Sequence, residues 1–336
     1  MAIKNKKGMF FTLIAIIMVI AIILFFTPNY EYLPQMSQIP TKIVRVTKAN
    51  NLMRNFKTTL VERELQSSSY YAVKQLLQCI DNQSMFSDDL QADFAEILLN
   101  GTLNGGDLAT ECGIDYMTGR NLPLRLNELR NVSEKELHLF TNFSVLNITI
   151  YQSNETGFDS FAVDLNLNIK MDAGLAGWDT NTTITTTHEV EGFDDPYYLA
   201  NANFTNKINF SNITNWTTSL VFDHIDAMHY VFEEQAPSFL MRFENNNNKS
   251  SCCGIESLIN PYDLNISDEP WSYVDYCFYG HECNDSRSGN KSLWNITGIS
   301  SGNETERFYM FKLEIYHIDK YDLAPDDRVV CEGSCP

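Results

Sequence analysis

Basic residues are scarce in this chain of 336 residues: 24 Lys and Arg stand against 43 Asp and Glu, so the formal net charge is −19. An acidic surface repels phosphate backbones, which excludes nucleic acid as a partner. The acidity is typical of a well-solvated surface, and cation binding is the alternative. The sequence lacks the D-x-[DN]-x-[DN]-G loop of calcium sites that would favour cation binding.

Several motifs of common enzyme classes are also missing. The chain contains no H-E-x-x-H, no D-x-D and no glycine-rich phosphate loop. The densest titratable cluster is Asp223, His224 and Asp226 with His229, but two side chains five residues apart do not share a helix face. We predict a non-enzymatic protein without a cofactor or metal, and keep a surface hydrolase that uses His224 and His229 as a third hypothesis.

Charge is absent from residues 9–27, which are almost wholly apolar. As a helix this segment would be about 28 Å long, close to the hydrocarbon thickness of a bilayer. Lys4, Lys6 and Lys7 precede it and Glu31 is the first charge after it, so the positive-inside rule places the N-terminus in the cytoplasm. A cleaved signal peptide is the alternative, but no A-x-A site follows. The segment predicts a single-pass protein of the cell membrane, in contact with the lipid bilayer, with an extracellular C-terminal domain.

Cysteine is absent before residue 79, so all eight cysteines follow the apolar segment. An even number of cysteines in an exported domain predicts disulfides, although eight cysteines allow 105 connectivities. We predict one bridge between Cys79 and Cys112 and another between Cys331 and Cys335. The disulfide candidates are Cys79, Cys112, Cys252, Cys253, Cys277, Cys283, Cys331 and Cys335.

The neighbours Cys252 and Cys253 are predicted to bond to Cys277 and Cys283 rather than to each other. A zinc site that adds His281 to these cysteines is the alternative. Its C-x3-H-x-C spacing is not a common zinc pattern, and the C-x2-C knuckle is missing from the sequence.

Glycosylation sequons are absent before residue 82 and frequent after it. The chain has 17, whereas its content of Asn, Ser and Thr predicts about 5 by chance. A sequence rich in Asn and Thr that forms sequons freely is the alternative to a glycosylated head. The glycosylation candidates are Asn82, Asn100, Asn131, Asn142, Asn147, Asn154, Asn181, Asn203, Asn209, Asn212, Asn215, Asn248, Asn265, Asn284, Asn290, Asn295 and Asn303.

Helices are predicted for the first third of the exported part. Pro28, Pro34 and Pro40 are expected to kink or interrupt the chain after the apolar segment. Residues 41–82 contain no Gly or Pro and carry an apolar stripe of helical period. A second helix is predicted at 87–99, with Ser87 as its N-cap.

Strands are predicted after residue 119. Residues 161–172 alternate strictly between apolar and polar, which is typical of a half-buried strand. With partners at 142–151 and about 182–190, this strand predicts an antiparallel meander covered by a helix at 218–234. Asp194-Asp195-Pro196 is interpreted as a turn rather than a carboxylate pair. Further strands are predicted near 273–278 and 307–317.

The predicted fold class is α+β: an N-terminal transmembrane helix and helical stalk, followed by an antiparallel β-sheet head with packed helices. The predicted domains are a cytoplasmic tail (1–8), the transmembrane helix (9–27), a helical stalk and hairpin (28–119) and a β-rich extracellular head (120–336).

Lys7-Gly8 directly before the apolar run that begins Met9-Phe10-Phe11-Thr12-Leu13 resembles a type IV pilin precursor. In that family a peptidase cuts after the Gly, the apolar helix packs into a filament core and the head faces outwards. The resemblance implies processing between Gly8 and Met9. It departs from the family at Leu13, where bacterial pilins carry an acidic residue. Residues 191–198 and 254–258 resemble short stretches of archaeal membrane-anchored surface proteins.

The sequence therefore favours a non-enzymatic, membrane-anchored surface protein, which is a pilin-like or cell-envelope structural subunit. Its exported, glycosylated head would be disulfide-bonded, and its partners would be other membrane helices or like subunits. The alternative is an adhesin or receptor-type ectodomain that binds a ligand.

Overall fold

The computed structural model describes residues 16–19, 32–174, 176–266, 271–281, 293–296, 311–323 and 329–331. Its helices are α1 (Tyr32–Asn55), α2 (Val61–Gln83), α3 (Leu90–Asn100), α4 (Leu108–Cys112), α5 (Leu122–Leu137), α6 (Pro196–Ala202), α7 (Thr218–Ala227), α8 (Phe239–Arg242), α9 (Asp275–Gly280) and α10 (Ile315–Lys320). Its strands are β1 (Thr102–Leu103), β2 (Gly106–Asp107), β3 (Phe140–Tyr151), β4 (Ser160–Asp172), β5 (Gly177–Glu189), β6 (Tyr230–Phe232), β7 (Ile255–Ser257), β8 (Leu293–Ile296), β9 (Lys312–Glu314) and β10 (Val329–Cys331).

Helices α1 and α2 are joined without a break by a π-helical turn, Phe56–Leu60. The combined helix is about 78 Å long at 1.5 Å per residue. The predicted helix at 41–82 is therefore present. The interruption predicted at Pro34 and Pro40 is wrong, because α1 includes both residues. Pro34 lies in the first turn, where no helical N–H is needed. Pro28 lies outside the described residues.

The predicted transmembrane helix needs correction. Only residues 16–19 of the segment 9–27 are described, and they are helical. Among the residues that the structure describes, no helix combines the length and the apolar character required to cross a bilayer. The longest, α1, includes Lys42, Arg45, Lys48 and Arg54. This finding overturns the transmembrane part of the predicted fold class, the single-pass topology and the cell-membrane location.

A three-stranded antiparallel sheet in the order β3-β4-β5 forms the predicted meander. The sheet is buried on the side of the apolar β4 residues, from Phe161 to Met171 at every second position. Helix α2 covers this side and contacts β5. A β-bulge between Val145 and Asn147 leaves Leu146 exposed and unpaired in the ladder.

The C-terminal half departs from the predicted elements. Helix α7 ends at Ala227, because Met228 adopts a left-handed φ of 44°, and a short strand, β6, follows instead of more helix. The strand predicted near 273–278 is a helix, α9, from Asp275. Helix α3 begins after Asp89, whose Oδ1 accepts from Ala92 N, so Ser87 is not its N-cap.

For two disulfides, both cysteines lie among the described residues. Cys79 is bonded to Cys112, as the sequence predicted, and ties α2 to the end of α4. Cys252 is bonded to its neighbour Cys253, so the predicted pairing of these two with Cys277 and Cys283 is wrong. Cys277 is also in a disulfide. Cys283 and Cys335 lie outside the described residues, as does the side chain of Cys331.

Candidate functional site

Ionisable side chains are concentrated in the core of the C-terminal half. Strands β6 and β7 pair there, and α10 packs beside them, so that three carboxylates meet two cations. We call this group the lysine cluster; it consists of Glu233, Glu256, Glu314, His317 and Lys320, all of them buried except the partly exposed Lys320.

Each cation of the lysine cluster contacts two carboxylates. Lys320 Nζ donates to Glu233 Oε2 at 2.6 Å and to Glu256 Oε1 at 2.8 Å. His317 Nε2 lies 2.8 Å from Glu256 Oε2, and His317 Nδ1 bonds to Glu314 Oε1. Both ring nitrogens of His317 therefore face carboxylate oxygens, as a protonated imidazolium with two N–H donors requires.

Burial and charge act in opposite directions on these groups. Burial alone would lower the pKa of His317, but Glu256 and Glu314 outweigh it and raise the pKa to about 10. Burial alone would raise the pKa of Glu256, but His317 and Lys320 hold it well below its usual range. Glu256 and His317 are consequently both ionised at neutral pH.

The lysine cluster has one feature of a metal site. Ligand atoms of Glu233, Glu256 and His317 lie within 4.8 Å of one another, which is close enough for one divalent cation. The Lys320 ammonium, however, already bridges the two glutamates. Metal binding would require displacement of Lys320 and loss of a proton from His317. The contacts therefore favour internal charge compensation.

A second buried group, the arginine cluster, lies beside β7 and joins α6, α8 and α9. It consists of Asp195, Arg242 and Asp275, all fully buried. Arg242 Nη1 lies 2.6 Å from Asp195 Oδ2 and 2.7 Å from Asp275 Oδ2, and Nη2 donates to the carbonyl of Ile255. The guanidinium also lies over the ring of Tyr197, 4.8 Å from its centroid.

Two carboxylates around one guanidinium leave one of them short of positive charge. Burial raises the pKa of Asp275 to about 6, with Arg242 opposing and Asp195 adding to the rise. Burial alone would lower the pKa of Arg242, but the two carboxylates hold it well above its usual value. Because these side chains are fully buried, the cluster acts as an internal cross-link of three helices.

A cleft of about 490 Å³ opens between α2 and the end of β5. We call it the acidic cleft, because its lining includes two carboxylates and neither Lys nor Arg. Its lining residues are Gln66, Tyr70, Ser160, Thr187, His188, Glu189, Glu191, Gly192 and Phe193.

His188, which lines the acidic cleft, forms a pair with the buried Ser69 behind it. Ser69 Oγ lies 2.7 Å from His188 Nε2 and 2.6 Å from the carbonyl oxygen of Leu65. The serine proton is used on that carbonyl, so Ser69 accepts from His188 Nε2–H. His188 is thus the donor rather than the base of this pair, and Ser69 is fully buried. The pair does not have the arrangement of an activated nucleophile.

No protein family, curated protein or solved structure matches the chain.

The histidines of the predicted hydrolase cluster come close to each other, with ring centroids of His224 and His229 6.4 Å apart. Neither ring nitrogen of His224 has a hydrogen-bond partner in the described part of the chain. Burial lowers the pKa of His224 to about 3, so its ring is neutral. The hydrogen-bonded histidine and acid that a hydrolase would need is not formed at His224.

The sequon asparagines differ from the other asparagines in exposure. Every sequon asparagine whose side chain is described is exposed, whereas eight other described asparagines are buried or half-buried. Chance formation of sequons predicts no such difference. The exposed set is Asn82, Asn100, Asn131, Asn142, Asn147, Asn154, Asn181, Asn203, Asn209, Asn212, Asn215, Asn248 and Asn265. Asn284, Asn290, Asn303, the side chain of Asn295, and Gly8 and Met9 lie outside what the structure describes.

Proposed function

We propose that the chain is a non-enzymatic structural subunit that self-associates through α1, in the manner of a pilin-like protein. One observation carries this proposal. The long helix is divided into a part that forms the core of the folded domain and a part that is largely uncovered. Of the described α1 side chains, only Ala49 and Met53 are buried. In α2, by contrast, eleven of the residues are buried.

The uncovered part of α1 has an apolar surface. Ile43 and Val44 are 59% and 52% exposed, which leaves two branched side chains in water on one turn of helix. Arg45 Nη2 donates to the carbonyl of His138 at 3.1 Å, and two further exposed apolar residues, Leu137 and Phe140, flank that position. Exposed apolar residues gathered in one region are typical of a protein–protein contact, and a second copy of the chain is the partner we propose.

Replacing Ile43 and Val44 with aspartate should weaken self-association by on the order of tenfold or more, because two buried apolar contacts are lost and two charges repel. Sedimentation velocity of the full chain measures the effect. The matched control replaces Leu124 and Val132 with aspartate; these exposed apolar residues lie on α5. Equal association of wild type and the α1 variant would contradict the proposal, as would a wild type that stays monomeric.

We further propose that the subunit is glycosylated and processed; its disulfides are consistent with maturation in an oxidising compartment. The exposure of the described sequon asparagines supports glycosylation. Intact mass and N-terminal sequencing of protein from its native source should give a start at Met9 and several masses spaced by sugar units. A start at Met1 would refute processing, and a single unmodified mass would refute glycosylation.

The adhesin-type alternative is favoured by a different observation, the acidic cleft. Its Tyr70 side chain is 43% exposed although it lies beside Phe193, with ring centroids 5.2 Å apart. An exposed aromatic ring at a cleft with polar walls is a common feature of ligand sites.

A further inference from the structure

We propose that the acidic cleft binds the guanidinium of Arg54 from a second copy of the chain. The inference rests on the proposed self-association and assigns its polar contact. A head cleft on one copy would then receive the helical α1 segment of the next copy.

The lining of the cleft offers acceptors at three places. Glu189 and Glu191 are exposed carboxylates on its rim. His188 is only 7% exposed, and its Nε2–H is used on Ser69. His188 Nδ1 therefore carries the free lone pair, and it has no partner among the described residues. An acceptor without a protein partner at a cleft can accept a hydrogen bond from a donor that enters the cleft.

Aromatic rings complete the cleft. Tyr70 lies at its wall, 5.2 Å from the Phe193 ring and 6.5 Å from the His188 ring between centroids. A cation placed against the face of such a ring is attracted by its quadrupole. The combination of aromatic faces, two carboxylates and a neutral imidazole acceptor fits a planar cation with several N–H donors.

Arginine matches this chemistry better than lysine or a metal ion. A guanidinium stacks on an aromatic ring while its five N–H groups reach different acceptors in one plane. A lysine ammonium is a compact, strongly hydrated charge, and a metal ion would lack a further ligand set. Arg63, one turn before Gln66 on α2, lies outside the lining of the cleft.

The charge distribution points to α1 as the source of the arginine. Helix α1 includes four basic residues and no acidic residue, although the whole chain has a net charge of −19. The residues outside α1 therefore carry a net charge that is more negative than that of the whole chain. Helix α1 could reach the acidic cleft of its own chain only if it folded back on α2. Because α1 continues into α2 without a break, the basic helix of one copy is expected to meet the acidic cleft of another copy.

Arg54 is the basic residue of α1 best placed for this contact. At about 100° per residue it lies about 20° around the helix from Ile43, on the face with uncovered apolar side chains. It is exposed, and its guanidinium has no partner among the described residues. Arg45 lies on a different face and already bonds to His138 of its own chain.

Two charge-reversed variants test the contact. One is Glu189→Lys with Glu191→Lys, which reverses the cleft; the other is Arg54→Glu, which reverses the helix. Each should reduce self-association by on the order of tenfold or more, because like charges then face each other. The matched controls, Glu155→Lys with Glu234→Lys and Arg130→Glu, change exposed residues outside the cleft and α1 and should associate like wild type.

Mixing the two deficient variants gives the decisive result. The cleft variant retains a normal Arg54, and the Arg54 variant retains a normal cleft. In a head-to-tail contact the normal Arg54 then meets the normal cleft, and the reversed helix meets the reversed cleft, so sedimentation of the mixture should show association that neither variant shows alone. Combining all three substitutions in one chain should restore self-association for the same reason.

The outcomes separate this inference from the proposed function. A monomeric wild type would refute both. If wild type associates and the Ile43 and Val44 variant does not, but the cleft variant associates normally, only the role of the cleft is overturned. A mixture that does not associate would also overturn it, since the cleft would then receive something other than α1.

Discussion

Replacing Arg242 with methionine should lower the free energy of unfolding by about 3–5 kcal/mol. The substitution removes the only cation that contacts Asp195 and Asp275 in the described structure, and leaves two fully buried carboxylates beside each other. Methionine fills much of the volume of arginine, so the loss of stability is due to the missing positive charge rather than to a cavity. Urea denaturation followed by circular dichroism measures it.

A surface variant and a double variant make this measurement specific. Lys170→Met breaks an ion pair with Asp179 whose side chains are more than half exposed, and it should have little effect because solvent screens that pair. Adding Asp275→Asn to Arg242→Met removes one uncompensated charge and should recover part of the lost stability. A double variant no more stable than Arg242→Met would show that the guanidinium acts mainly through packing on Tyr197.

The second large effect is a loss of stability at alkaline pH that depends on His317. Its pKa rises from the ordinary 6.5 to about 10 on folding, so the folded state holds the proton more tightly. This contribution to stability is fully present below pH 6.5 and is lost as the pH rises towards 10. In that range the free energy of unfolding should fall by up to about 1.4 kcal/mol per pH unit.

His317→Gln should remove this slope between pH 7 and pH 9, in addition to destabilising the protein at pH 7 by leaving Glu314 without its cation and Glu256 with Lys320 alone. The difference in stability between wild type and variant should therefore narrow as the pH rises. His138→Asn, which changes an exposed histidine at the end of α5, should keep the wild-type slope. Parallel pH curves for wild type and His317→Gln would disprove the assigned pKa.

The sheet could be predicted from the sequence because β4 is long and its residues alternate between apolar and polar. Alternation over residues 160–172 places every second residue in the core, and no helix accommodates that period. The short elements after Ala227 have no such length. Residues 273–278 contain aromatic residues common in strands, but Asp275 bonds within the arginine cluster and begins a helix. Tertiary contacts decide such segments, and a local pattern does not contain them.

The ionic core could not be predicted for a related reason. Arg242 is 47 residues from Asp195 and 33 from Asp275, and no spacing rule connects residues so far apart. The sequence predicts Asp195 to lie in a turn, and in the structure Asp195 caps α6, with Oδ1 accepting from Tyr197 N at 2.8 Å. Its second oxygen pairs with the arginine. The one signal in the sequence is the aromatic pair Tyr197-Tyr198 that follows, because both tyrosines are buried and a charged neighbour of buried residues needs a partner.

The β-bulge in β3 determines the side of the sheet on which sugar could be attached. Asn142 and Asn147 are five positions apart, an odd separation that in a regular strand directs two side chains to opposite sides. The additional residue at Leu146 shifts the phase by one, so that Asn147 pairs with Asn166 and both sequons lie on the solvent side with Asn181. If Leu146 were paired in the ladder instead, Asn147 would point into the apolar layer, and the face with three sequons would keep two. The single additional residue, Leu146, thus determines whether the sequon at Asn147 faces solvent or the core.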